Sequence, residues 1–203
     1  MSVYDLVIDV ETKKLFEEVG GFFPEKLGVS YLGAWAVEEG KGVEKLGWRG
    51  FLEGDLRDFW PLAERARSLV GFNLLGFDLP ALSFYYPGDF GRFQAFDLME
   101  EIRKVWGRRV SLGAVAKGSL GEQKNGDGLG AVEYFRQGDF KNLALYCKKD
   151  VELTAKLFVK VRDEEKLCFQ DHWNEFREVE VKFSAQNGAS KEKGKRVQMT
   201  LGL

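Results

Sequence analysis

Histidine occurs once in this chain of 203 residues, cysteine twice and proline four times. The two cysteines, Cys147 and Cys168, make no CxxC pair and no Cys/His cluster. A disulfide scaffold and a structural zinc site are therefore poor readings, and a reducing, cytoplasmic setting is expected. No apolar run approaches the ~18 residues of a membrane helix. Met1-Ser2-Val3-Tyr4-Asp5 shows no basic region, apolar stretch or cleavage site, so no signal peptide is expected. A net positive charge is lacking too. The chain carries a net −2, and residues 185–203 (Lys191, Lys193, Lys195 and Arg196 against Glu192) hold +3 of the total, which leaves −5 on residues 1–184. An acidic body argues against a simple electrostatic nucleic-acid binder, which would be basic. It is compatible with an enzyme whose carboxylates are neutralised by divalent cations. What is present is globular: 44% hydrophobic, 14% aromatic and 31% charged residues, at a length suited to one domain plus an appendage.

The hydrophobic pattern predicts a first strand over Val3–Asp9, rich enough in Val, Leu and Ile to be buried on both faces. Strands are expected at Ser30–Val37 and Glu44–Phe51, joined by a turn around Glu39-Gly40-Lys41-Gly42, and at Leu69–Phe72 and Gln94–Phe96. Helices are expected over Asp55–Ser68, Leu79–Tyr85, from Asp97 (whose Asp97-Leu98-Met99-Glu100 matches a capping box), Ser111–Ala116, Leu129–Gln137 and Asn142–Asp163. That order predicts an α/β fold with a mixed sheet. Lys166–Gln170 and Glu178–Phe183 suggest a late hairpin around His172. The expected organisation is a main domain over residues 1–165, a hairpin extension over 166–184 and a polar, flexible tail over 185–203.

Three segments place carboxylates where chemistry can use them. Asp9-Val10-Glu11 ends the first strand, and alternation puts both acids on one face. Two carboxylates about 4 Å apart repel by on the order of 4 kcal/mol at an effective dielectric near 20, a cost that a cation relieves. A solvated Asp-x-Glu is the competing account. Asp78 sits where a strand running through Asn73 gives way to a helix, a position that also suits a helix cap before Pro80. Tyr146 and Asp150 are spaced i, i+4 and share one helix face. Gly118-Ser119-Leu120-Gly121-Glu122-Gln123-Lys124 lacks the ending of a phosphate loop, and Asn125-Gly126-Asp127-Gly128 reads as a turn rather than a calcium loop.

In this order, Asp9-x-Glu11, Asn73-x3-Phe77-Asp78 and Tyr146-x3-Asp150 resemble the motifs of the DEDD superfamily of 3′–5′ exonucleases in its tyrosine form. Gly21-Phe22-Phe23-Pro24, Ser111-Leu112-x-x-Val115-Ala116 and Tyr146-Cys147-x-x-Asp150 are similar to stretches of the proofreading exonuclease domain of family B DNA polymerases. The resemblance implies an RNase H-like three-layer fold, a mixed sheet flanked by helices. It implies that Asp9, Glu11, Asp78 and Asp150 hold two Mg²⁺, with Mn²⁺ able to substitute, since all-oxygen sites suit these ions. Tyr146 would orient the attacking water, because a phenol with an ordinary pKa near 10 is a poor base at neutral pH. Asn73, Phe77, Phe16 and Lys13 would contact the substrate, with Phe22 and Phe23 as further stacking surfaces. Arg103, Lys104, Arg108 and Arg109 are cations that could meet phosphates or simply face solvent. The implied substrate is a single-stranded 3′ end, DNA ahead of RNA. The alternatives are a non-catalytic domain that grips nucleic acid or a partner within a replication or helicase assembly, and an RNase H-like nuclease that cuts internally.

Overall fold

The first strand, β1, runs Tyr4–Thr12 and lies at the centre of a five-stranded sheet. It is longer than its apolar run because the ladder continues through Asp9 and Glu11 to an irregularity between Glu11 and Thr12. β2 (Val29–Glu38), β3 (Trp48–Leu52), β4 (Leu69–Gly71) and β5 (Ala95–Asp97) complete the order β3-β2-β1-β4-β5. β1 pairs antiparallel with β2 and parallel with β4, so the sheet is mixed as expected. The computed structural model describes residues 3–43, 47–123 and 128–183. The first part of the strand expected at Glu44–Phe51, the turn at Asn125 and the tail over 185–203 lie outside those residues.

Six helices flank the sheet among the described residues: α1 (Leu56–Ala63), α2 (Leu79–Leu82), α3 (Leu98–Trp106), α4 (Leu112–Leu120), α5 (Gly128–Arg136) and α6 (Phe140–Glu164). Leu56, Phe59 and Trp60 of α1 pack with Leu6, Ile8 and Leu32 on one face. Val7, Trp35 and Val70 pack with α3, α4 and α6 on the other. No helix among the described residues is long and apolar enough to cross a membrane.

Several boundaries differ from the sequence expectation for identifiable reasons. α1 stops at Ala63, not Ser68, because the chain must turn to bring Arg67 and Ser68 to Asp5. That aspartate is fully buried and accepts from Arg67 Nε at 3.0 Å, Arg67 Nη2 at 2.6 Å and Ser68 Oγ at 2.7 Å. A buried carboxylate needs that many donors. α4 runs on to Leu120, and its Gly118 lies against β6 (Lys166–Gln170), where a Cβ would meet the Cys168 carbonyl at 2.4 Å. The hairpin's second strand, β7, is Phe176–Glu180 rather than Glu178–Phe183. Asp171 tightens the turn by accepting from Trp173 N and Glu175 N, so pairing already begins at Gln170↔Phe176.

Gly33 sets how closely α6 approaches the sheet. A Cβ there would lie 2.7 Å from Cys147 Sγ and 2.8 Å from both the Trp48 ring and Val151 Cγ2. All three neighbours belong to or border a packed core that yields little. Gly33→Ala is expected to destabilise the protein by about 1–3 kcal/mol, the usual cost of overpacking, read as a lower urea midpoint at unchanged slope.

Candidate metal centre

The C-terminal end of β1 presents Asp9 and Glu11 to the face that α6 covers. The register pairs them with Gly33 and Tyr31 of β2, so both side chains stand on one side of the sheet. α6 crosses there because Gly33 leaves room. Cys147 Sγ comes within 3.6 Å of the Asp9 carbonyl and 3.7 Å of Asp9 Oδ2. Ligand atoms of Asp9, Glu11 and Cys147 lie within 4.8 Å of one another, an arrangement able to hold a metal ion. Tyr146 and Asp150, one helical turn apart, line the same cleft of about 370 Å³ as Asp9 and Glu11. Phe16, Phe77 and Lys14 form other parts of its wall.

Asp78 meets the backbone of this strand. Its segment leaves β4 through Asn73, held in the left-handed conformation at φ 71°, and coils into a π turn over Leu74–Asp78. The cap before Pro80 is not what forms. The Asp78 side chain makes no cap bond to α2 and instead accepts from Val10 N at 2.8 Å, directly between Asp9 and Glu11. Only 2% of Asp78 is exposed. Burial pushes its carboxyl well above the ordinary aspartate value, and the charges of Asp9 and Asp97 push the same way.

Asp97 does cap α3, accepting from Met99 N at 3.1 Å and Glu100 N at 3.3 Å. It also accepts from Asn73 N and Leu75 N, each at 2.9 Å. One carboxylate thus fixes both the start of α3 and the turn that delivers Asp78. The second role has no local signature. It follows from Gly71 lying opposite Asp97 in the β4–β5 pair, which brings the two strand ends together.

The donor set fits a divalent cation. Asp9 and Glu11 offer oxygens into an open cleft with Asp150 on its wall, and Asp78 adds a buried carboxylate beside Asp9. The Cys147 thiol is pushed well up by burial and by the charges of Asp9, Glu11 and Asp150. Carboxylate oxygens make up most of this donor set, which suits a hard divalent cation.

The other expected site residues divide. Phe16 stacks on Phe22, ring centroids 4.6 Å apart at 26°, and meets Phe77 edge-on at 6.1 Å. Phe22 is 59% exposed, so the pair continues the cleft wall into solvent. Lys13 ion-pairs with Glu53 and lies over the Phe135 ring, outside the cleft lining. Asn73 shapes the corner with its backbone rather than lining the cleft. Arg103 and Lys104 pair with Glu100 and Glu101 on their own helix, while Arg108 lies over Trp173.

No protein-family model and no curated protein matches this chain. Its fold recurs within a DNA polymerase. The family B DNA polymerase of the hyperthermophilic archaeon Pyrobaculum calidifontis superposes with a TM-score of 0.57 over 79% of this chain, at 21% identity. The match covers 25% of the polymerase chain, so the likeness is to one part of it. The shared architecture is the α/β, RNase H-like one expected from the sequence, with a mixed sheet between helices.

Proposed function

We propose that this chain is a metal-dependent 3′–5′ exonuclease that hydrolyses phosphodiester bonds at single-stranded nucleic-acid ends, DNA ahead of RNA. The observation that carries the reading is the meeting of Asp9, Glu11, Tyr146 and Asp150 in one cleft, with Asp78 bonded to the strand between the first two. The likeness to part of a DNA polymerase supports a nucleic-acid substrate.

Asp9, Glu11, Asp78 and Asp150 would hold two divalent cations, Mg²⁺ or Mn²⁺. When bound, such ions supply an activated water and charge neutralisation at the scissile phosphate. The chain's own residues do the rest. Tyr146 lines the cleft beside Asp150, and its hydroxyl would orient the attacking water by a hydrogen bond. Phe16 and Phe77 offer ring faces and edges for the terminal base, and the wall they form with Leu27 and Val132 limits water around the end. The scissile phosphate meets the carboxylates in this cleft, so cleavage depends on the cation.

The test is a gel assay with 5′-labelled single-stranded DNA and RNA of one sequence, in Mg²⁺, Mn²⁺ or EDTA. The expected result is a ladder that shortens from the 3′ end with either metal and is absent in EDTA. Intact substrate in every lane, with binding retained, would overturn the reading in favour of a module that grips nucleic acid.

A further inference from the structure

The sheet face beside the carboxylates is covered by α6 at Gly33 and exposed at Gly50 and Leu52 on the β3 edge. Moving outward from β1, Glu11 is followed by Tyr31 and Leu52, and Asp9 by Gly33 and Gly50. Gly33 lies under α6, but Gly50 is exposed. The Tyr31 ring leans across Gly50 so closely that a Cβ there would lie 1.9 Å from the Tyr31 hydroxyl. Trp48, half-buried, bounds the far side and packs on Trp35. Lys148 reaches over from α6, its ammonium 5.7 Å from the Trp48 ring and 5.8 Å from the Trp35 ring. Among the described residues no carboxylate forms an ion pair with Lys148. Leu52, 36% exposed, closes the shelf on the β3 edge.

This combination suits an unpaired polynucleotide strand. Aromatic faces accept any base, Gly50 lets the Tyr31 ring lie close along the sheet, and an unneutralised lysine meets a backbone phosphate. The cation stands out because the body of the protein is acidic and most other lysines on α6 are tied to glutamates. Strands lie about 4.8 Å apart, so β3 is about 10 Å from β1. At about 3.4 Å per stacked nucleotide, that distance corresponds to about three nucleotides.

We propose that Tyr31, Gly50, Trp48 and Lys148 form a shelf that holds the single strand about three nucleotides 5′ of the end held in the cleft. The proposal rests on the exonuclease reading for the direction of the strand, but binding to the shelf requires no cleavage.

The test compares fluorescein-labelled (dT)3 and (dT)12 binding by anisotropy in EDTA, using the full chain. Wild type should bind (dT)12 more tightly than (dT)3. Tyr31→Ala and Lys148→Ala should each weaken (dT)12 binding by about tenfold, the scale of losing one stacking or phosphate contact, and leave (dT)3 within about twofold. Lys148→Ala should also flatten the salt dependence on (dT)12 alone. Lys148 is a surface residue, so that variant tests the shelf even if Tyr31→Ala disturbs folding. Gly50→Ala should reproduce the Tyr31 loss by displacing the ring, and Tyr31→Phe should not. Equal losses on both oligomers, or no loss on (dT)12, would overturn the shelf. The gel assay reports on the exonuclease separately: a chain that cleaves nothing yet shows this length dependence would sink that reading and leave the shelf standing.

Discussion

Asp78→Asn is expected to leave the metal-free protein at least as stable as wild type while ending 3′ nucleotide release. Asp78 is buried, faces the charge of Asp9, and has no cation beside it in the metal-free chain. An asparagine oxygen can still accept from Val10 N, so the bond to β1 survives while the buried charge goes. The pH dependence has a definite sign. The folded-state pKa lies above the ordinary 3.8, so the stabilising contribution is full below that value and is lost as pH rises through the folded pKa. In EDTA the wild-type melting temperature should therefore fall, relative to Asp78→Asn, as pH is raised from about 4 toward neutrality. Divalent cations should reverse the order. A ligand at about 100 times its Kd adds about 2.7 kcal/mol, and the variant, lacking one ligand, should gain much less. Melts across pH with EDTA or Mg²⁺ read both effects. A variant that unfolds, together with a wild type that metals do not stabilise, would make the carboxylate structural.

Tyr146→Phe is expected to slow nucleotide release about a hundredfold, the scale at which losing one positioning contact misplaces a reacting group. The ring keeps its place on α6 and in the cleft wall, and only the hydroxyl is lost. Substrate affinity and Mg²⁺ stabilisation should stay near wild type, so the defect belongs in kcat and not in KM. Single-turnover rates at saturating enzyme separate the two. A rate within about threefold of wild type would assign the tyrosine to packing.

What the sequence made legible was periodic or local. The period of a strand put Asp9 and Glu11 on one face, and the turn of a helix put Tyr146 beside Asp150. The helix cap at Asp97 was visible because its first partners, Met99 and Glu100, follow it directly. What stayed hidden depends on residues far apart in sequence. Nothing around Asp78 names Val10 as its partner, 68 residues away. Nothing around Lys13 announces Glu53, which turns a candidate phosphate contact into an ion pair. Cys147 reads as a small packed residue, and it is fully buried. Its approach to Asp9 emerges only once Gly33 lets the helix down onto the sheet. The early end of α1 likewise comes from Asp5 and its demand for Arg67 and Ser68.

The hairpin shares its interior with the helix that carries Tyr146 and Asp150. Leu167, Phe169, Val179 and Val181 are buried in the same cluster as Val151, Leu157, Phe158 and Val161 of α6. Arg162 ties the far end of that helix to the Glu38 and Lys41 carbonyls, and Glu122 grips it midway through Lys149 and Lys156. α6 is therefore a beam held along its length, and the cleft is its loaded end. Slack introduced at β6–β7, which supplies no residue to the cleft lining, would travel along the beam and arrive as lost alignment between Asp150 and Asp9. The hairpin and the cleft should accordingly open to hydrogen exchange as one unit, with protection lost from both at the same denaturant concentration.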